Sequence, residues 1–231
     1  MTPSKHTIYR RYTSLPIVID MITEERLTIV GYDSWIDVND RYNMDLYKKL
    51  SGVEFLGAYC VNRSKTQEFH QWKVFADGDS GVCVVFDQTR FEKFYKELDS
   101  NAYLTGGVNY VPYRAGKKDQ DQAIMDKCGN ADISKLPFIK RSGFYAEQEF
   151  RIVHSSMEKK DVHHIQIDTS LISEIILSPF LDDGLLKSVK GALKSIKGCP
   201  RRVTKARLTD SKMWQEFLSR YAEQIPEPTN A

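Results

Sequence analysis

Between Glu147 and His154 the chain reads Glu-Gln-Glu-Phe-Arg-Ile-Val-His, and this alternation constrains the fold more than any other stretch. Successive side chains of a β-strand point to opposite faces. In a strand that begins by Glu147, the carboxylates of Glu147 and Glu149 and the guanidinium of Arg151 share one face, and Phe150 and Ile152 take the other. Such a strand needs a sheet with one packed face and one face that holds charge. Lys140 and Arg141 lie a few residues upstream and bring further cations. Two readings fit the pattern. One is a site that uses a carboxylate; the other is a structural cluster of ion pairs joining Glu149 to Arg151 or Lys140.

The rest of the chain alternates strand-like and helical segments. Thr7 to Tyr12 reads as a first strand carrying Arg10 and Arg11, and Ser14-Leu-Pro opens a helix to about Glu25. Strands are expected at Arg26–Val30 and Val53–Val61, and a continuous apolar run, Val82–Phe86, reads as a buried strand. Asn39 or Asp40 can cap a helix through Leu50. A short helix is expected at Phe69–Phe75, then an amphipathic one from Thr89 to Leu98, a strand from Gly106 to Tyr113 and a helix from Ile133 to Tyr145. Arg114 to Gly129 is polar and weakly patterned, a loop or exposed helix. Strands at Phe150–His154, His163–Asp168 and Ile175–Leu177, a helix from Leu185 to Ile196, a strand at Arg201–Leu208 and a helix capped by Asp210 complete the order. Eight or nine strands with helices between them make one α+β domain over residues 1–225, with 226–231 as a loose tail.

Composition narrows the function classes. Across 231 residues, 41% hydrophobic and 11% aromatic content suits a globular chain with a real core. A net charge of +2 makes no bulk electrostatic case for nucleic acid. No apolar run is long enough for a bilayer, and Met-Thr-Pro-Ser-Lys-His is not a signal peptide, so a cytoplasmic protein without a membrane partner is expected. Cys60, Cys83, Cys128 and Cys199 are widely spaced, which signals reduced thiols and neither a zinc site nor a redox pair.

Four stretches carry a resemblance. Ile8-Tyr-Arg-Arg-Tyr-Thr-Ser-Leu15, Trp35-Ile-Asp-Val-Asn-Asp40, the block from Gln71-Trp-Lys-Val-Phe-Ala to Gly81-Val-Cys-Val-Val-Phe86, and Phe144-Tyr-Ala-Glu-Gln-Glu-Phe-Arg-Ile152 together resemble family 2971 of the domains of unknown function, a bacterial and phage-associated family. The first motif has an extra arginine, and Phe144 stands where the family more often has tryptophan. More remotely, a polar residue on an opening strand followed by a carboxylate at the start of a late strand is similar to the ADP-ribosyltransferase superfamily. That resemblance implies a central mixed or antiparallel split sheet with flanking helices, and NAD as substrate without a metal.

It also implies roles. A first-strand arginine, Arg11 or its neighbour Arg10, would hold ribose and phosphate. Trp72 would line the nicotinamide side, with Arg151 and Lys140 contributing to NAD binding. Glu149 would steady the positive charge that builds on ribose as the glycosidic bond breaks, and Glu147 would be the polarising member of a Glu-x-Glu pair. The expected partners are NAD and a macromolecular acceptor, in a toxin or phage-conflict setting. The bland counterparts are an edge-strand arginine, a core tryptophan shared with Phe75 on one helix face, and ion pairs for the carboxylates. A catalytically silent module that binds protein or nucleic acid, using the lysine flank Lys187, Lys190, Lys194 and Lys197, is the alternative function. A nuclease that places Glu147 and Glu149 on Mg²⁺ lacks the spaced acidic trio a hard cation wants. His163-His164 point to opposite faces of a strand and make a poor metal pair.

Overall fold

The architecture follows from one apolar strand run and the helices that cover it, in a computed structural model that describes residues 7–112 and 132–224. The first half contains β1 (Tyr9–Ser14), α1 (Leu15–Thr23), β2 (Arg26–Val30), α2 (Val38–Ser51), β3 (Phe55–Asn62), α3 (Phe69–Phe75), β4 (Gly81–Phe86) and α4 (Gln88–Lys96). β5 (Tyr103–Gly107), β6 (Asn109–Val111), β7 (Ile139–Arg141), β8 (Glu149–Ser156), β9 (Val162–Gln166) and β10 (Ile172–Leu177) follow. α5 (Asp183–Ser195), β11 (Arg202–Lys205) and α6 (Lys212–Ala222) close the described chain.

Seven strands form one sheet in the order β11-β10-β4-β1-β3-β8-β5. Only β10 and β11 run parallel; the other neighbours are antiparallel. β1 pairs with β4 from Tyr9↔Phe86 to Ser14↔Gly81, and β3 pairs with β8 along its whole length, but β1 meets β3 only at Arg10↔Asn62. Two well-made ladders are therefore joined by a single row. This is the α+β arrangement read from the sequence, with the mixed, mainly antiparallel split sheet and flanking helices that the resemblance implies.

Side-chain parity sorts the two faces. Tyr9, Val61, Val84, Phe86, Phe150 and Ile152 pack with Val18, Met21 and Ile22 of α1, Phe91 and Tyr95 of α4 and Leu193 of α5 in the main core. On the other face Leu56, Ala58 and Val153 meet Tyr32, Met44 and Tyr47, the last two from α2. Beside them Tyr12, Cys83 and Ile176 enclose Trp72 of α3. Gly57 permits a close approach: a Cβ there would lie 2.5 Å from the Val30 carbonyl oxygen, so only glycine lets β2 cross over β3.

Several expectations need correction. Pro137 cannot extend an α-helix because it lacks an N–H and its ring clashes with the preceding turn. The segment read as a helix over Ile133–Tyr145 is instead two 3₁₀ turns, Ile133–Phe138 and Ser142–Glu147, around β7. The single strand expected over Gly106–Tyr113 is broken at Val108 into β5 and β6. Asp37 caps α2 through Asn39 N, and Ser211 rather than Asp210 caps α6. Eleven strands are present among the described residues. The polar stretch 114–129 and the tail 226–231 fall outside the described residues. Cys60, Cys83 and Cys199 are free thiols, burial pushes those of Cys60 and Cys83 up to about 12, and Cys128 is outside the described residues.

A second small sheet, β2-β9, docks through histidine. The buried His154 ring stacks on His163 with centroids 3.6 Å apart, and neither of its nitrogens has a hydrogen-bond partner among the described residues. Burial, then the charges of His163 and Lys160, hold His154 down at about 4 from 6.5. The unfolded imidazole takes its proton at the higher pH, so the unfolded state binds more protons throughout that window and stability falls as pH drops from 6.5 to about 4. Denaturation midpoints measured across this range are expected to fall less steeply for His154→Phe than for the parent chain.

Candidate functional site

The single row that joins the two ladders also assembles the site. Arg10 of β1 is registered with Asn62 of β3, and Asn62 with Glu149 of β8. Arg10 and Glu149 are thus two strands apart on one face, roughly 10 Å at a strand spacing of 4.7–4.9 Å. They open onto a cavity of about 620 Å³ that Arg11, Trp35, Phe75, Lys140, Phe144 and Glu147 also line. Past Arg10 the two strands diverge, and the Arg11 guanidinium enters the gap. Its Nη1 donates to the Cys60 carbonyl (2.9 Å) and it lies over the Tyr59 ring.

Glu147 reaches the cavity by a different route from the one strand parity predicts. β8 begins at Glu149, and Gln148 before it takes a left-handed conformation, φ 42°. This kink turns the end of the 3₁₀ turn back over the strand start. The Asn62 side-chain amide donates to the Glu147 carbonyl and fixes the kink. Glu147 then pairs with Lys140 of β7.

Glu149 is held from behind. Arg151, two residues along β8, donates to Glu149 Oε2 through both Nε and Nη2. Arg151 Nη1 also donates to Asp40 Oδ1 (2.9 Å) and to the Pro137 carbonyl (2.7 Å), and Nη2 donates to Asp40 Oδ2 (2.6 Å). Its plane lies over the Trp35 ring at 4.9 Å. All five N–H donors of this fully buried guanidinium are thereby used. Lys140 Nζ sits among three carboxylates, Asp40 at 3.3 Å, Glu147, and Glu149 at 3.6 Å. Glu147 accepts its hydrogen bond, and Asp40 and Glu149 stand at ion-pair distance.

The two glutamates are pushed apart electrostatically. Burial raises Glu147, the neighbouring Glu149 charge adds to this, and the Lys140 hydrogen bond offsets only part. Burial also acts to raise Glu149, but the Arg151 and Lys140 charges outweigh it and hold the group below the usual carboxylate range. Glu149 stays ionised while Glu147 holds a proton more readily. Among the described residues the ion pairs and side-chain hydrogen bonds of the Glu149 carboxylate fall on Oε2, and Glu149 itself lines the cavity.

Cation availability follows from the same count. Arg10 donates through Nη1 to the Ser64 carbonyl and through Nη2 to the Lys65 carbonyl, and its Nε has no partner among the described residues. Arg11 spends one donor on Cys60, and its Nε is likewise unpartnered. Neither forms an ion pair among the described residues. Arg10 and Arg11 are therefore the cavity cations with donors to spare.

Two expected ligand contacts do not reach the cavity. Arg151 does not line it and has no donor left, so it positions Glu149 and cannot grip a phosphate. Trp72 is fully buried against Tyr12 with ring centroids 5.1 Å apart, and Phe75, one turn on, is the α3 aromatic that lines the cavity. Asn39 or Asp40 was expected to cap α2; Asp37 does so, and Asp40 joins the ion cluster instead. It lies in the first turn of α2 with its carboxylate turned inward and 3% exposed. Among the described residues no group of three or more His, Cys, Asp or Glu is arranged to hold a metal; the ammonium of Lys140 stands between the three carboxylates instead. No helix among the described residues is long and apolar enough to cross a membrane.

A split α+β sheet thus turns a carboxylate and two guanidiniums to one cavity. Over residues 71–152 the chain matches the family described as Protein of unknown function (DUF2971). That match spans α3, β4 and the Lys140–Arg151 segment, so it includes both glutamates. No curated protein matches the chain. A solved structure titled "Thermus sp. 2.9 DarT in complex with NAD+" aligns at 12% identity with a TM-score of 0.39, covering 89% of this chain and 98% of that chain.

Proposed function

We propose that the cavity binds NAD and that the protein transfers ADP-ribose from it to a macromolecular acceptor. The observation that carries this reading is the Arg10–Asn62–Glu149 row, which sets unspent guanidinium donors and a clamped carboxylate on one cavity wall. Arg11 and Arg10 hold the pyrophosphate, since a guanidinium fork matches phosphate oxygens. Trp35, Phe75 and Phe144 supply flat apolar walls for the rings. As the bond between ribose C1′ and the nicotinamide nitrogen breaks, its electron pair leaves with nicotinamide and positive charge develops on the ribose. Glu149 lies where a fixed negative charge stabilises that cation. Glu147, with its raised proton affinity, takes the proton from the incoming acceptor. An enzyme of this kind acting on a cellular macromolecule would serve as a toxin or phage-conflict effector. Free thiols at Cys60 and Cys83 suit a reducing cytoplasm.

A second reading has its own support. Lys140 and Arg151 spend their donors on protein groups, as they would in a purely structural ion cluster within a silent binding module. Ligand binding separates the two. NAD at a hundredfold excess over its dissociation constant should stabilise the fold by about 2.7 kcal/mol, and Arg11→Ala should weaken binding by roughly 10–100-fold, the loss of one or two charge-assisted hydrogen bonds. Absence of a thermal shift at saturating NAD, together with no nicotinamide release, would leave the silent module as the reading.

A further inference from the structure

Gln148 holds a left-handed conformation, φ 42° and ψ 47°. An L-residue other than asparagine or aspartate adopts it at a cost, and glutamine has no preference for it. Strain of this kind persists only where the surroundings over-determine it, and it gathers at functional sites.

Four hydrogen bonds from other elements do this, one at each residue from Ala146 to Glu149. Gln71 Nε2 of α3 donates to the Ala146 carbonyl (3.2 Å), and Asn62 Nδ2 of β3 donates to the Glu147 carbonyl (2.5 Å). The Arg63 N–H donates to the Gln148 carbonyl (3.0 Å), and the Glu149 N–H donates to the Tyr110 hydroxyl of β6 (2.8 Å). Gln71 and Asn62 are 2% and 5% exposed, and both line the cavity. A side-chain amide buried so deeply is destabilising unless its bonds are made. Those of Gln71 lead to Ala146 and to its neighbour His70. Asn62 reaches further: its Oδ1 accepts from the Ser64 N–H, and the Ser64 carbonyl anchors Arg10. The two amides are therefore separable. Gln71 acts on the glutamate turn, whereas Asn62 acts on the turn and on the arginine together.

We propose that Gln71 is a positioning residue of the site: with Asn62 it keeps Gln148 left-handed and so holds the Glu147 carboxylate in the cavity beside Glu149. This rests on the proposed transfer, in which Glu147 takes the proton of the acceptor. Without the clamp, Gln148 relaxes to an ordinary conformation and Glu147 turns away from its place.

The titration of Glu147 reports that place. Around its carboxyl stand Lys140 of β7, Glu149 and Arg151 of β8 and Tyr110 of β6. Asp37 and Asp40 at the start of α2, and Arg10 and Arg11 of β1, line the same cavity, and His70 lies beside Gln71 on α3. Burial and the Glu149 charge raise its proton affinity, and both effects depend on the turn.

NMR titration of the Glu147 carboxyl carbon in the full chain tests the proposal, with nicotinamide release to water measured alongside. Gln71→Met keeps the side-chain length and removes the donor. The Glu147 midpoint should move down toward that of an exposed glutamate. kcat should fall about 10-fold or more, while KM for NAD holds because the anchors of Arg10 are intact. Asn62→Ala should move the midpoint the same way and raise KM as well. Adding Gln148→Gly to Gln71→Met should bring the midpoint back toward the parent's, since glycine enters the left-handed region without penalty and needs fewer bonds to stay there. A purely structural Gln71 would lower Tm without moving the midpoint. An unchanged midpoint in a folded Gln71→Met, or a shift that Gln148→Gly does not recover, overturns the assignment. If the parent cleaves no NAD, the transfer reading falls, and the titration alone decides the clamp.

Discussion

Arg151→Met is expected to lower the unfolding free energy by about 3–5 kcal/mol, the cost of removing one partner from a buried ion cluster. In a chain of this length that corresponds to a fall of roughly 10 °C in Tm. The reason lies in the charge balance. Asp40, Glu147 and Glu149 face Lys140 and Arg151. Without the guanidinium, three buried carboxylates confront one ammonium, and the Pro137 carbonyl and both Asp40 oxygens lose donors. Urea unfolding gives the number. A loss below about 0.5 kcal/mol, the size of an ordinary surface change, would mean that water enters the cluster and solvates it. Adding Asp40→Leu to Arg151→Met should recover part of the loss, because an apolar pair satisfies what a lone carboxylate cannot.

Glu149→Gln should behave in the opposite way: a sound fold and a silent site. The amide oxygen can still accept from Arg151, and the cluster passes from one net negative charge to none, so stability should change by no more than about 1 kcal/mol. On the proposed reading the charge that steadies the ribose cation is gone, and nicotinamide release from NAD should fall by about 100-fold or more, as when a preorganised electrostatic group is removed. NAD affinity should hold, because Arg10 and Arg11 are untouched. The two measurements together are decisive. If Glu149→Gln unfolds the chain as readily as Arg151→Met, the carboxylate is a structural member of the cluster; if release is unchanged, Glu149 has no part in bond cleavage.

How far the sequence discloses this site depends on what kind of information each residue needs. The shared face of Glu149 and Arg151 is legible from the two-residue period of a strand, whereas Lys140 reaches them from a separate strand in a segment that reads as a helix. The placing of Arg10 and Glu149 on one face follows from parity plus register, and parity is visible in the chain whereas register is not. Arg151 has the same parity as Glu149, but its burial is set by α2 and the Pro137 turn arriving from elsewhere. Asp40 was hidden by its residue type: Asp and Asn near a helix start are what a cap requires, and Asp37 fills that role instead. Trp72 and Phe75 lie on one short helix, and only the packing of Tyr12, Cys83 and Ile176 decides which one enters the core. The overestimated helix at Ile133–Tyr145 had a local signal against it in Pro137. Gln148 offered none, because a left-handed glutamine reflects the tertiary pull of Asn62 on the Glu147 carbonyl.

The one-row seam between β1 and β3 also bears on when the protein acquires its chemistry during synthesis. Arg10 leaves the ribosome early, and its ladder with β4 is complete once Phe86 has emerged. Glu149 and Arg151 arrive more than sixty residues later, on a strand that has to dock onto β3 before the carboxylate can meet Asp40 and the cavity can close. Every chain interrupted before β8 carries the arginines without the glutamates. A stalled or truncated product can fold its first ladder and still lack the carboxylate wall of the cavity, so on the proposed reading it stays inert until β8 has docked.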